Sequence, residues 1–68
     1  MKPLDVLGEL LDNQVLVRLK NGLEIRGVLK AFDVHINLVL DNAEFKEGDI
    51  EKKFKKIFLR GDMILFVS

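Results

Sequence analysis

The chain has 68 residues, no cysteine, and 11 basic side chains against 11 acidic ones. That length admits one domain around one small core, and the missing thiols exclude disulfides and thiolate metal sites as its supports. Hydrophobic residues make up 49% of it, a surplus that predicts burial against further copies, while the balanced charge argues against a broadly basic phosphate-binding surface.

Pro3 suits a first helical position, and Asp5 and Glu9 favour the positive end of a helix. Leu4, Leu7, Leu10 and Leu11 recur at spacings of three and four, one apolar stripe. Gly8 weakens this helix by roughly 1 kcal/mol relative to alanine, so it needs docking, and Asp12-Asn13 ends it. The amino terminus lacks the apolar stretch of a secretion signal. The longest apolar run, Met63 to Val67, is too short to span a bilayer. A soluble, cytoplasmic protein with no membrane partner is expected.

From Gln14 the period becomes two, with Val15, Val17 and Leu19 on one face. Asn21-Gly22 predicts a tight hairpin turn in which both residues take positive φ. Leu23 to Phe32 reads as the return strand, bent at Gly27. A third strand is expected from His35 to Asp41, then a loop from Asn42 to Gly48. Ile50 to Leu59 resumes as a strand anchored by Phe54 and Phe58, and Arg60-Gly61-Asp62 forms a turn. Met63 to Val67 is apolar on both faces, which places this last strand at an interface, pairing head to tail with a neighbouring copy. One helix and five strands predict a mostly β fold, a small and strongly bent antiparallel barrel.

In an extended segment Asp33, His35 and Asn37 project together, while Val34, Ile36 and Leu38 turn to the core. A carboxylate, the only histidine and an amide thus share a face, and Arg60 joins them from a turn that Gly61 frees. Such a set can stack on and hydrogen-bond a nucleobase. Each residue also has a plainer use: a surface histidine, a turn-capping asparagine, a tight turn with an exposed arginine. Lys52, Lys53, Lys55 and Lys56 read as a solvated strand end. Phe32, Phe45, Phe54, Phe58 and Phe66 read as core or interface rather than stacking platforms. Catalysis has little to work with, because the only serine is the terminal Ser68 and cysteine and tyrosine are absent. Asp33, His35 and Asp62 are fair metal ligands without a supporting motif, so neither metal nor cofactor is expected.

The helix, the hairpin at Lys20-Asn21-Gly22, the bend glycine, the run Asp33-Val34-His35-Ile36-Asn37-Leu38-Val39-Leu40, Asp41-Asn42-Ala43-Glu44 and Leu59-Arg60-Gly61-Asp62-Met63-Ile64 together resemble the Sm-like (LSm) family, in its archaeal form. The resemblance covers nearly the whole chain, with both family motifs in order; Ile36 and Leu59 stand where methionine and isoleucine are frequent. It implies the Sm fold over residues 1–68 as a single domain: a short helix on a five-stranded, SH3-like barrel. It further implies a ring of six or seven copies, seven preferred, joined through the fourth and fifth strands. Single-stranded uridine-rich RNA would lie on the inner rim. By position, the resemblance has His35 and Arg60 sandwich a uracil and Asn37 read its edge. Asp33 would orient Asn37, Gly61 would offer backbone contact, and Asp62 would complete the hydrogen bonding. The implied work is that of an RNA chaperone or RNA-processing platform, with RNA-processing proteins as further partners. The alternative is a purely structural ring subunit that scaffolds proteins.

Overall fold

Val15, Val17 and Leu19 point inward along β1 (Gln14–Leu19) and leave Gln14 and Arg18 exposed, as a half-buried strand requires. The computed structural model describes every residue from Met1 to Ser68. Ahead of β1 stands α1 (Pro3–Leu10), with proline in its first turn. Asp5 accepts a hydrogen bond from the Lys2 backbone N–H at 3.3 Å, supplying one of the partners a helix start lacks. At the other end the Asn13 amide donates to the carbonyls of Glu9 and Leu11, both at 3.2 Å, and Asp12 turns the chain at φ +64°. Leu7 is buried and Leu10 packs on the core. The helix is clipped to the sheet by Asp12 N–H donating to the Leu29 carbonyl (2.7 Å) and Leu29 N–H to that of Asn13 (3.1 Å). An ion pair from Lys30 Nζ to Asp12 Oδ1 at 2.6 Å adds to this.

The hairpin into β2 (Glu24–Phe32) is wider than expected. Only Gly22 is left-handed, at φ +89°. Asn21 instead uses its side chain, which accepts from Leu23 N–H at 3.0 Å. Within β2, Ile25 and Leu29 face inward with Gly27 between them. A Cβ at Gly27 would lie 3.0 Å from the Asp41 carbonyl oxygen and 3.1 Å from Leu40 Cβ, so glycine lets the bent strand lie close on its neighbour.

Two expectations fail in the next stretch. Residues 33–37 form a loop, not the start of a strand: β3 runs Leu38–Glu47. The Asp33 carboxylate accepts the backbone N–H groups of His35 (2.9 Å) and Asn37 (3.1 Å), a local turn that competes with strand pairing. Ile36 sits at φ +62°, a conformation costly for a β-branched residue, by about 1–3 kcal/mol. Val34 therefore points to solvent with 71% of its surface exposed, whereas Ile36 packs on the core as expected. Secondly, Asn42 to Glu47 is strand rather than loop. β3 pairs with β4 (Ile50–Leu59) in one unbroken register from Leu38 opposite Leu59 to Glu47 opposite Ile50. The inward positions step from Leu40 to Ala43 across Asn42, at φ +51°, so an alternation test loses the strand there.

A 3-10 turn, Gly61–Met63, leads to β5 (Ile64–Val67). The strands lie in the order β4-β3-β2-β1-β5, all neighbours antiparallel. This is the expected mostly β architecture, its core built of Val15, Val17, Leu19, Ile25, Leu29, Leu38, Leu40, Ala43 and Leu59. β4 and β5 are the two free edges of the sheet. Leu65 and Phe66 on β5 keep 61% and 45% of their surface exposed. Phe54 and Phe58 on β4 are exposed too, so within one chain neither belongs to the core.

Candidate nucleic-acid interface

The β3–β4 ladder decides which loops meet. With Leu38 opposite Leu59, the loop before β3 and the turn after β4 converge at one end of the sheet. There Gly61 N–H donates to Asn37 Oδ1 at 2.9 Å. A Cβ on Gly61 would stand 1.8 Å from the His35 carbonyl oxygen, so only glycine permits this approach. On its other side Asn37 Nδ2 donates to Asp33 Oδ2 at 3.0 Å. A backbone donor and a carboxylate acceptor together fix which way the amide faces. One hydrogen on Nδ2 and one acceptor position on Oδ1 remain for a ligand.

The Asp33 carboxylate receives three hydrogen bonds. The Asn37 side-chain bond, foremost, holds its carboxyl below the ordinary 3.8; the Asn37 and His35 backbone N–H groups and the nearby imidazole act the same way, against some desolvation. The carboxylate is thus anionic at neutral pH and anchors the loop. Arg60 Nη2 lies 3.0 Å from Asp62 Oδ2, both side chains being largely exposed.

His35, Asn37, Arg60, Gly61 and Asp62 line one open concavity of about 560 Å³, together with Phe58, and Asp33 supports Asn37 from behind. The fold therefore brings all six sequence-predicted residues together, though through a turn rather than strand alternation. Asp62 is engaged with Arg60 instead of standing free. Phe58 was expected in core or interface; the signal pointing to the concavity was its place two residues before Arg60. A larger hollow of about 760 Å³ lies between Asn21–Arg26 and Glu44–Glu51. Its lining includes Glu24, Glu44, Glu47 and Glu51, a poor surface for a phosphate backbone. Of the lysines on β4, Lys52 pairs with Glu47 and Lys56 with Asp41, both at 2.5 Å. No group of three His, Cys, Asp or Glu side chains is placed to hold a metal ion.

Helix, sheet order and converging loops define an Sm-type fold. Residues 5–68 match the family model described as the LSM domain. An Sm-like protein of Methanosarcina barkeri is 52% identical over 68 residues, spanning 98% of this chain and 94% of that one. The structure of the Pyrococcus abyssii Sm protein, in complex with a uridine heptamer, superposes with a TM-score of 0.91 at 45% identity, covering 100% of this chain and 97% of that chain. The SmAP1 heptamer of P. aerophilum gives a TM-score of 0.91 at 37% identity over 100% and 92% of the two chains. The chain belongs to the LSM family.

Proposed function

We propose that this protein is the repeating subunit of a ring, seven copies in preference to six, that holds single-stranded uridine-rich RNA on its inner rim. Residues 1–68 act as one Sm-like unit in this reading, and the ring serves as an RNA chaperone or a platform for RNA processing. The observation that carries it is the Asn37 amide, locked by Asp33 and Gly61 beside His35 and Arg60. The uridine-bound and heptameric relatives support it from outside the chain.

Imidazole and planar guanidinium take the two faces of the base, stacking being worth about 1–3 kcal/mol per base. Selectivity falls to Asn37. Its remaining acceptor faces the N3–H of uracil, and its remaining donor faces a carbonyl oxygen beside it. A mobile amide could turn over to suit a different base edge; this one is held on both sides. Ring closure comes from the exposed edges, β5 of one copy adding to β4 of the next.

Fluorescence anisotropy with labelled heptauridine tests the pocket, with light scattering to follow the ring. Asn37→Ala is expected to weaken heptauridine binding at least tenfold while the assembly mass stays unchanged. Equal affinity in wild type and variant would remove Asn37 from the site. A wild-type monomer would remove the ring.

A further inference from the structure

Phe58 is the one apolar side chain lining the concavity of His35, Asn37, Arg60, Gly61 and Asp62. Its strand neighbours turn inward, Ile57 half-buried and Leu59 buried, whereas Phe58 leaves 62% of its surface exposed. Arg60 has extended backbone (φ −76°, ψ 133°), so residues 58 and 60 lie on the same side of the strand. Phe58 pairs across the ladder with Val39, and Asn37 reaches the same concavity as Phe58 and Arg60 from the loop before β3.

We infer that Phe58 is a contact residue for the bound base, its ring forming the apolar floor of the pocket beneath Arg60. This rests on the base pocket proposed above. A pyrimidine has one edge of oxygens and N–H and another carrying only C–H bonds. Asn37 serves the first, while every other lining side chain is polar or charged and offers the second nothing. A phenyl ring there covers the C–H edge and keeps water from competing for the Asn37 hydrogen bonds. Because Phe58 also sits on an edge strand, its competing role is to be covered by the next copy in a ring.

Three variants separate these roles: Phe58→Leu, Phe58→Ala and Phe58→Asn, each assayed by light scattering and by anisotropy with labelled heptauridine. Phe58→Leu keeps apolar cover over the C–H edge and is expected to stay within about twofold of wild type with the assembly mass unchanged. Phe58→Ala removes that cover and Phe58→Asn replaces it with a polar group; each is expected to weaken binding about tenfold in a ring of unchanged mass. Wild-type affinity in an intact Phe58→Ala or Phe58→Asn ring would overturn the inference. So would loss of the ring in both Phe58→Ala and Phe58→Asn, which would assign the side chain to the subunit contact. Failure of the wild-type protein to bind heptauridine would instead sink the pocket itself.

Discussion

Asn37 ties together two loops that are 24 residues apart in sequence, and the groups around it have no slack. Gly61 is the least replaceable of them. Its α-carbon faces the His35 carbonyl so closely that an added methyl group would sit 1.8 Å from that oxygen. Gly61→Ala is therefore expected to push the loops apart, cost about 1–3 kcal/mol of stability as overpacking does, and abolish heptauridine binding. Urea denaturation and anisotropy measure the two effects. Asp33 supplies a pH test. Its folded-state pKa is depressed, so the loop stabilisation it contributes is fully present above the ordinary 3.8 and is lost as pH falls through the folded value. Carboxyl-carbon NMR is expected to place its titration midpoint below 3.8, and Asn37→Ala should return it toward that value by removing the foremost of its hydrogen bonds.

Among the elements, β5 is short, four residues, and bound on one side only. Leu65 is exposed in the single chain, so lysine there should leave the fold intact yet place a charge where strand pairing must occur. Leu65→Lys is expected to yield a monomer by light scattering with an unchanged circular dichroism spectrum; a ring of wild-type mass would mean that β5 is not the joint. The doubly apolar character of this strand was plain in the sequence. So were the positions of α1, β1, β2 and β4, with small shifts at their ends, although Phe54 and Phe58, expected to anchor β4, are exposed, as are Leu4 and Leu11 of the helical stripe. Two stretches were not legible, for a common reason. In residues 33–37 an aspartate side chain takes over backbone donors and Ile36 adopts positive φ. At Asn42 another left-handed residue displaces the inward face by one position. Alternation presumes regular backbone, and both places break it. These residues nonetheless lie together in the fold, since a turn and a strand can each bring Asp33, His35 and Asn37 close.

For the molecule as a whole, zero formal charge means that long-range attraction to RNA is weak and that affinity must come from repetition. In the proposed ring, one Arg60 and one His35 per copy would become a circle of them, and every base after the first would bind as an effectively intramolecular event. A series of oligouridines is therefore expected to gain affinity steeply with length until each subunit is occupied, then level off; isothermal titration gives both the plateau and the number of nucleotides per ring. Core truncations should act evenly on this behaviour through stability alone: Leu29→Ala, at a fully buried position, is expected to cost about 2–5 kcal/mol by denaturant titration without altering base preference. The unbroken β3–β4 register has its own consequence. The pocket lies at one end of that ladder and the Gly48 tip at the other, about 30 Å away at roughly 3.3 Å per residue. A dye, an affinity handle or a lengthened arm spliced in at Gly48 would hang clear of the proposed nucleotide track, making this tip a natural grafting point.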